Sequence, residues 1–259
     1  MRMVWRKDEA PEGELMFKLG RKAVKTDSRT LRMVRYLTPA LPPPPARVDW
    51  TKGQTAWLML MNDSLGDCTI AGAMHCIMGW SLNTGSESSF SDNDALDYYE
   101  TFDGYDPNDP STDSGGILLD VLKDWQKQGI NGHTVEAYAL VNPANVTQVK
   151  QALALFGPLY CGLAFPNSAM DAPTWELTQD RSLAGGHCVV MIAYNEIGPI
   201  FISWGALYQA TWAFFNFFFA PNMQGEIYAA ISPDWFADSG VDPTGLNLDQ
   251  LNVDLTAIK

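Results

Sequence analysis

The chain has few of the features that mark secreted or membrane proteins. It has 4 cysteines in 259 residues, and no two of them form a Cys-x-x-Cys pair. Few, scattered cysteines are more often free thiols than a disulfide framework. The longest apolar stretch, residues 210–221, is too short to cross a bilayer and is interrupted by Asn216. Residues 1–9 are charged and lack the apolar segment of a signal peptide. These absences predict a soluble protein that is not secreted by a signal peptide.

Basic residues are scarce outside the N-terminal segment. Residues 1–47 hold 11 of the 17 Lys and Arg residues but only 5 of the 30 Asp and Glu, a net charge of +6, whereas residues 48–259 carry −19. A body of this charge repels phosphates, so we do not expect it to bind nucleic acid. For the basic segment three interpretations stay open: contact with an acidic protein surface of the body or of a neighbouring subunit, a solvated tail, or nucleic acid.

The composition divides the chain into two parts. We assign residues 1–46 to a basic, Pro-rich N-terminal arm and residues 47–259 to one globular domain that includes a C-terminal amphipathic tail. Within the arm, residues Ser28–Leu37 are a helix candidate, and the proline run in residues 41–45 is typical of a polyproline II spacer. In the tail, the spacing of apolar residues over Leu246–Ile258 predicts a small helix.

Helical periodicity dominates the first part of the body and short apolar runs dominate the second. The pattern predicts helices over residues 69–80, 91–102, 116–128 and 145–156. It predicts strands over residues 159–165, 187–194, 200–204 and 226–232. Because the helices precede the strands instead of alternating with them, we expect an α+β fold.

One cysteine and one histidine stand where a nucleophile and its base would be expected. Cys68 opens a buried helix, with Asp67 as the predicted N-cap, and the N-terminus of a helix favours a thiolate. His187 opens an apolar run 119 residues later. The backbone N–H of Cys68 and the side-chain amide of Asn62 are candidate donors to the oxyanion of a tetrahedral intermediate.

The same residue types also allow a metal-site interpretation. Cys68, His75, Cys76 and His187 have the ligand chemistry of zinc. However, they lack the usual paired spacing, and Cys and His within apolar runs are more often core residues. We therefore predict no metal and no cofactor.

Six short motifs, in this order, resemble those of the papain-like cysteine peptidases. They are Val-Asp-Trp at 48–50, Cys68, the Gly-Gly pair at 115–116 that leads to Gly-Ile at 129–130, Gly-Pro-Leu at 157–159, Gly-His-Cys-Val at 186–189 and Ser-Trp-Gly at 203–205. Together they span about residues 41–232. The resemblance implies a papain-like fold, in which a helical N-terminal half packs against a mostly antiparallel sheet or barrel. It also implies a hydrolase of peptide or isopeptide bonds.

Several positions depart from the family pattern. Asn62 stands where the family has the oxyanion-hole Gln, and Thr69 follows the nucleophile in place of Trp. Ile202 occupies the position of the Asn that orients the catalytic histidine, and an apolar side chain cannot do this. Ser203 lies 16 residues after His187 and would replace it only if the strand register is shifted. Loss of an orienting residue costs about 10⁴ in rate in serine proteases, so the resemblance implies weak or lost activity.

Three functions remain open from the sequence. The first is a cysteine hydrolase with an eroded triad of Cys68, His187 and Ser203, whose arm is a short prosegment. The second is a non-catalytic pseudoenzyme, a structural or assembly protein of, for example, a bacteriophage particle, whose arm docks on a protein partner or a neighbouring subunit. The third is a regulated or redox thiol. These functions predict a cytoplasmic or virion location and no membrane partner.

Overall fold

Three helices follow one another in the first part of the body. The computed structural model describes residues 17–35, 43–236 and 240–245. The helices are α1 (Cys68–Thr84), α2 (Asp92–Tyr98) and α3 (Leu118–Gln128). A turn of π-helix, Tyr99–Asp103, continues α2. The helices predicted over residues 69–80, 91–102 and 116–128 are therefore present.

Helix α1 is buried because small residues let it approach its neighbours. All residues from Cys68 to Ser81 are buried. A Cβ atom at Gly72 would lie 2.9 Å from Cys188 Sγ, and one at Gly79 would lie 2.6 Å from Pro158 Cγ. The helix therefore packs closely against the sheet, and its N-terminus is held in a fixed position.

Local signals fix the ends of the other helices. Ser91 and Asp94 form a reciprocal capping box at the start of α2. Gly129, with φ of 78°, ends α3. The fourth helix, α4 (Val146–Phe156), begins after Asn145, whose side chain accepts a hydrogen bond from the Gln148 N–H at 3.0 Å.

The strands of the described residues form one open sheet. In sheet order they are β1 (Leu31–Arg32), β3 (Ala137–Val141), β9 (Glu226–Ile231), β4 (Leu159–Pro166), β6 (Leu183–Tyr194), β7 (Pro199–Ser203), β8 (Ala206–Ala210) and β5 (Thr174–Trp175), and β2 (Val48–Asp49) pairs with β6. The pairs β1–β3 and β5–β8 are parallel and the others antiparallel. The order of strands does not return to its start, so the sheet is not a closed barrel.

The central strands separate two apolar clusters. Successive side chains of a strand point to opposite faces, so the neighbours Val189 and Val190 enter different clusters. The first cluster contains the apolar residues of α1 and α3, and the second contains those of α4 and α5 (Trp212–Phe218). The fold is therefore α+β, as the order of predicted elements indicated.

The helix predicted over Ser28–Leu37 is wrong for the residues that the structure describes. The chain turns at Asp27–Thr30, forms β1, and then makes one 3-10 turn over Met33–Arg35. Pairing with β3 overrides the weak helical periodicity of this segment because strand β3 offers unpaired edge groups. Residues 36–37 lie outside the described residues.

Several other segments differ from the sequence-based predictions or lie outside the described residues. Strands β2, β3, β5 and β8 were not predicted, and helix α5 lies within the apolar stretch 210–221. None of the helices within the described ranges is long and apolar enough to cross a membrane. Residues 41–42 of the polyproline run and the helix predicted over Leu246–Ile258 are outside the part of the chain that the structure describes.

A buried histidine is expected to make the stability of the fold depend on pH. His75 Nε2 lies 2.8 Å from the carbonyl oxygen of Leu58, and burial lowers the pKa of His75 to about 4. An unfolded histidine titrates near 6.5, so the unfolded state binds more protons below that pH. The stability from neutral His75 is therefore present above pH 6.5 and is lost as pH falls towards 4.

We expect His75→Gln to flatten this dependence. Between pH 7 and 4.5 the wild type should lose about 2 kcal/mol more unfolding free energy than the variant, as measured by urea denaturation. Glutamine keeps a donor for Leu58 but has no proton to gain. An identical loss in both proteins would show that His75 does not stay neutral in the fold.

Candidate active site

Cys68 is the first residue of α1, and its side chain is buried. The backbone N–H of Cys188 donates to its sulfur, with an N–Sγ distance of 3.4 Å. Burial raises the pKa of the Cys68 thiol to about 12, although the N–H groups of Cys188 and Gly20 lower it. In this conformation Cys68 is therefore a neutral thiol.

Asp67 occupies the N-cap position of α1, but its side chain does not cap the helix. Both of its carboxylate oxygens are buried and have no hydrogen-bond partner among the described residues. Burial raises the pKa of Asp67 well above its usual value, and the neighbouring Asn62 amide acts in the opposite direction. The prediction of a side-chain cap is therefore wrong, because the carboxyl group is enclosed in the body instead of lying over the first helical turn.

Ser203 holds the imidazole of His187. The Nε2 atom of His187 lies 2.7 Å from Ser203 Oγ, and the ring is completely buried. Trp204 stacks on this ring, with the centroids 4.4 Å apart, and Phe165 contacts it edge-on. Burial lowers the pKa of His187 to about 3, so the imidazole is neutral. Its other nitrogen, Nδ1, is buried and finds no hydrogen-bond partner within the described ranges.

The strand register explains why Ser203, and not Ile202, reaches the histidine. Ile202 pairs with Val190, and both side chains are buried in the cluster that contains α1. Ser203, the next residue of β7, points to the opposite face, as His187 does on β6. The register between these strands shifts between Met191 and Ala193, as in a β-bulge.

A two-residue turn places Trp204 over the histidine. Trp204 and Gly205 connect β7 to β8 and have φ values of 44° and 70°. Positive φ at both central residues is typical of a type I′ hairpin turn, although it is unfavourable for tryptophan. The indole Nε1 donates to the carbonyl oxygen of Lys18 at 3.1 Å, and Phe17 stacks on the indole with centroids 4.6 Å apart. Trp204 thus connects His187 to the N-terminal arm.

Asn62 lies in the loop before α1, and one of its amide hydrogens is already used there. Its Nδ2 donates to the carbonyl oxygen of Leu65 at 3.3 Å. Of the four residues that alternatively suggested zinc, His75 and Cys76 are buried along α1, and His75 Nε2 hydrogen-bonds to the Leu58 carbonyl oxygen. No group of three or more potential ligands is arranged to hold a metal ion in the described part of the chain.

The structure brings Cys68, His187 and Ser203 to the boundary of the two clusters. Cys68 belongs to the first cluster, and the His187 ring contacts Phe165 and Trp204 of the second. No hydrogen bond joins the thiol to the imidazole. Both groups are neutral, so this state is not a thiolate–imidazolium pair.

The described part of the arm runs through the groove beside Cys68. We call it the arm groove; the glycines that line it are Gly66, Gly115, Gly116, Gly162 and Gly186. Backbone hydrogen bonds hold the arm there: Lys18 N to Asn62 O (3.2 Å), Gly116 N to Gly20 O (2.8 Å), Lys22 N to Gly116 O (2.8 Å) and Arg21 N to Gly186 O (3.0 Å). The chain's own backbone therefore fills the groove.

Glycines make room for the arm on both sides. A Cβ atom at Gly20 would lie 1.6 Å from the carbonyl oxygen of Gly66. One at Gly115 would lie 1.7 Å from the oxygen of Gly20, and one at Gly186 would lie 2.3 Å from the oxygen of Arg21. A side chain at any of these positions would be incompatible with the arm in this path.

Opposite charges also join the arm to the body. The ion pairs are Arg21–Glu226, Lys25–Asp120 and Asp27–Lys123. The second and third are partly exposed, so each contributes little. The first is buried, with exposed fractions of 2% and 1% for its two side chains. Sequence reasoning did not identify any of these contacts, and its one signal was the opposite net charge of the two parts.

The carbonyl oxygen of Gly20 is bound by the body and not by the candidate oxyanion donors. It accepts the hydrogen bond from the Gly116 N–H at 2.8 Å. A nucleophile must reach a carbonyl carbon, whose oxygen must be held by oxyanion donors. The Gly20 carbonyl is therefore not held as the carbonyl of a substrate of Cys68 would be.

The order of helices and strands, with Cys68 opening the central helix and His187 on a central strand, defines the fold of the papain-like cysteine proteases. No protein-family model matches the sequence, and no curated protein matches it. Among solved structures the chain is similar to xylellain, a cysteine protease from Xylella fastidiosa, with 14% identity, a TM-score of 0.62, and coverage of 86% of this chain and 98% of that one.

Two further structures have the same fold. The chain is similar to proCathepsin B S9 from Trypanosoma congolense, with 10% identity, a TM-score of 0.57, and coverage of 85% of this chain and 87% of that one. It is also similar to Amb a 11, a cysteine protease and ragweed pollen allergen in its proform, with 14% identity and a TM-score of 0.54. That match covers 74% of this chain and 67% of the other.

Proposed function

We propose that this chain is a cysteine hydrolase of peptide or isopeptide bonds that its own N-terminal arm keeps latent. The observation that carries the proposal is the His187–Ser203 hydrogen bond beside Cys68, a thiol at a helix N-terminus in a groove that accepts a peptide backbone. Cys68 is the nucleophile, and His187 is the base and later the acid. The Cys68 N–H and the Asn62 amide are the proposed oxyanion donors.

Departure of the arm would activate the pair by letting water reach the two groups. Burial is the main cause of both pKa shifts, which keep the thiol and the imidazole neutral. Water entering the groove would lower the pKa of Cys68 and raise that of His187, so the two values would approach each other. With Ser203 Oγ accepting from Nε2–H, the unprotonated Nδ1 is the nitrogen left to take the thiol proton.

Ser203 as the partner of His187 is expected to make catalysis slow. A hydroxyl group both donates and accepts, so it stabilises either tautomer of the imidazole, whereas a carboxamide oxygen only accepts. The histidine would therefore spend part of its time with the proton on Nδ1, where it cannot act as the base. The unproductive tautomer is the physical reason for the weak activity that we propose.

Two of the similar structures support the latent state by analogy. Their names describe a procathepsin and a protease in its proform. In the present chain the segment in the groove comes from residues 17–22, and it makes backbone hydrogen bonds on both sides. We propose that the arm has the corresponding role.

The test uses the full chain carrying Gly20→Ala, since a Cβ there would collide with Gly66. We expect this variant to cleave members of a mixed peptide library, detected by mass spectrometry, and expect Gly20→Ala/Cys68→Ala to cleave none. Trypsin sensitivity at Lys22 and Lys25 would report that the arm has left the groove. A released arm without any Cys68-dependent cleavage would refute the hydrolase.

A second candidate, a non-catalytic assembly protein, is favoured by one observation. The groove is filled by hydrogen-bonded backbone and a buried ion pair, which suits a permanent closure as well as a latent one. The arm would then act as part of the core, and other surfaces would contact a partner or neighbouring subunit. The absence of cleavage in the test above, together with assembly into defined oligomers, would support this candidate.

A further inference from the structure

Arg21 of the arm fills a pocket of complementary shape and charge. Its Nε and Nη2 atoms donate to Glu226 Oε1 at 3.0 and 2.8 Å, and Nη2 also donates to the carbonyl oxygen of Gln224. The second carboxylate oxygen of Glu226 accepts from the Tyr228 hydroxyl at 2.9 Å. We call the site formed by Gly162, Gln224, Glu226 and Tyr228 the arginine pocket.

The wall of the pocket is open because residue 162 is a glycine. A Cβ atom at Gly162 would lie 2.4 Å from Arg21 Nε, so any other side chain would occupy the place of the guanidinium. Gly162 pairs with Glu226 on one side and with Cys188 on the other. The same Cys188 donates its N–H to Cys68 Sγ, so the pocket lies one strand away from the thiol.

The occupant of this pocket is adjacent to the residue at the nucleophile. Gly20 packs against Gly66, two residues before Cys68, where a Cβ atom on Gly20 would lie 1.6 Å from the Gly66 carbonyl oxygen, and Arg21 is the next residue of the arm. A peptide lying along the same path would thus place one of its side chains in the pocket while its neighbouring residue lies at the thiol. The position of the pocket is therefore that of a specificity site.

The chemistry of the pocket selects a guanidinium. Glu226 is 1% exposed, and a buried carboxylate that loses its cation is strongly unfavourable. The planar guanidinium of arginine meets the carboxylate oxygen and the Gln224 carbonyl at the same time. Lysine has a single terminal nitrogen and cannot reproduce the Nε contact.

We propose that the arginine pocket is a substrate subsite, which the arm occupies in the closed chain and which the arginine side chain of a peptide occupies once the arm leaves. Preferential cleavage of such a peptide rests on the proposed function, but its binding at the pocket does not. Arg21 is thus an example, within the chain itself, of the residue type that we expect the arginine pocket to bind.

The test is peptide binding to an open form of the full chain. Gly20→Ala/Arg21→Ala removes the fit of the arm and empties the pocket. A synthetic peptide of residues 17–26 and its Arg21→Lys and Arg21→Ala versions are titrated by calorimetry. We expect the Arg peptide to bind at least about 30-fold more tightly than the Ala peptide, with the Lys peptide between them.

Variants of the pocket separate charge from shape. Adding Glu226→Gln should remove most of the preference for Arg, and Gly162→Ala should reduce binding without changing any charge. Glu196→Gln, at an exposed position, is the matched control and should leave the preference intact. Equal binding of the Arg and Ala peptides to the open form would overturn the proposal, and equal binding of Arg and Lys would overturn the guanidinium assignment.

A second measurement distinguishes this inference from the proposed function. The open form is incubated with peptides that differ only in Arg or Ala at this position, and cleavage is followed. Preferential binding together with preferential cleavage supports both conclusions. Preferential binding without cleavage supports the pocket and contradicts the hydrolase.

Discussion

Alanine at Gly20 is expected to raise the rate at which Cys68 reacts with an electrophilic thiol probe by about 100-fold or more. The added Cβ would lie 1.6 Å from the carbonyl oxygen of Gly66, a backbone atom that cannot move aside easily. Overpacking typically costs about 1–3 kcal/mol, and a contact this short belongs at the upper end or beyond it. The substitution therefore destabilises the closed state by this amount and leaves the stability of the open state unchanged.

The measurement is the second-order rate of alkylation at neutral pH, with the site identified by mass spectrometry. Lys18→Ala is the matched control, because this side chain belongs to the same segment but is exposed. Cys76 and Cys161 are buried in the core and serve as internal references in the same spectra. Equal labelling of Cys68 in the wild type and in Gly20→Ala would show that the arm does not restrict access to the thiol.

Replacing the histidine in the open form is expected to have the second large effect. In the Gly20→Ala background, His187→Ala should lower kcat/KM for a cleaved peptide by about 10²–10⁴-fold, the usual contribution of a general acid–base. Ser203→Ala should cost about tenfold, because it removes one hydrogen bond that orients the ring. The loss of kcat/KM is expected to be smaller for Ser203→Ala than for His187→Ala, since Ser203 acts only through His187.

The pH profile of kcat/KM shows whether Ser203 orients the imidazole or has only a structural role. Removing Ser203 should shift the pH dependence of kcat/KM because the imidazole loses a hydrogen-bond partner, whereas a purely structural effect would scale all rates equally. His133→Ala is the control, since His133 is partly exposed and pairs with Asp234 instead. If His187→Ala retained the kcat/KM of its parent, His187 would not be the base.

The local parts of the site could be predicted from the sequence. The helix that begins at Cys68 has a dense run of small and apolar residues, and the strand that carries His187 has a continuous apolar one. Short-range patterns of this kind indicate elements directly. Their relative order also carries the resemblance to the papain-like fold.

The contacts that close the site depend on register and on residues far apart in the chain. The alignment of the Trp-Gly pair pointed to Ile202, but the β6–β7 pairing sets Ile202 opposite Val190 and leaves Ser203 on the other face, where it contacts the histidine. Arg21 and Glu226 are 205 positions apart, and no local pattern links them. The close approach of Gly20 to Gly66 depends on backbone positions that only the folded chain defines.

Because the arm is covalently continuous with the body, its hold on the groove is a matter of effective concentration. A tethered segment experiences a local concentration of about millimolar, so even a weak intrinsic affinity keeps the groove occupied. An inhibitor or substrate added in solution must compete against that concentration. One cut in the chain between the arm and the body would turn the same segment into a dilute peptide that diffuses away. Its intrinsic affinity for the groove would be unchanged.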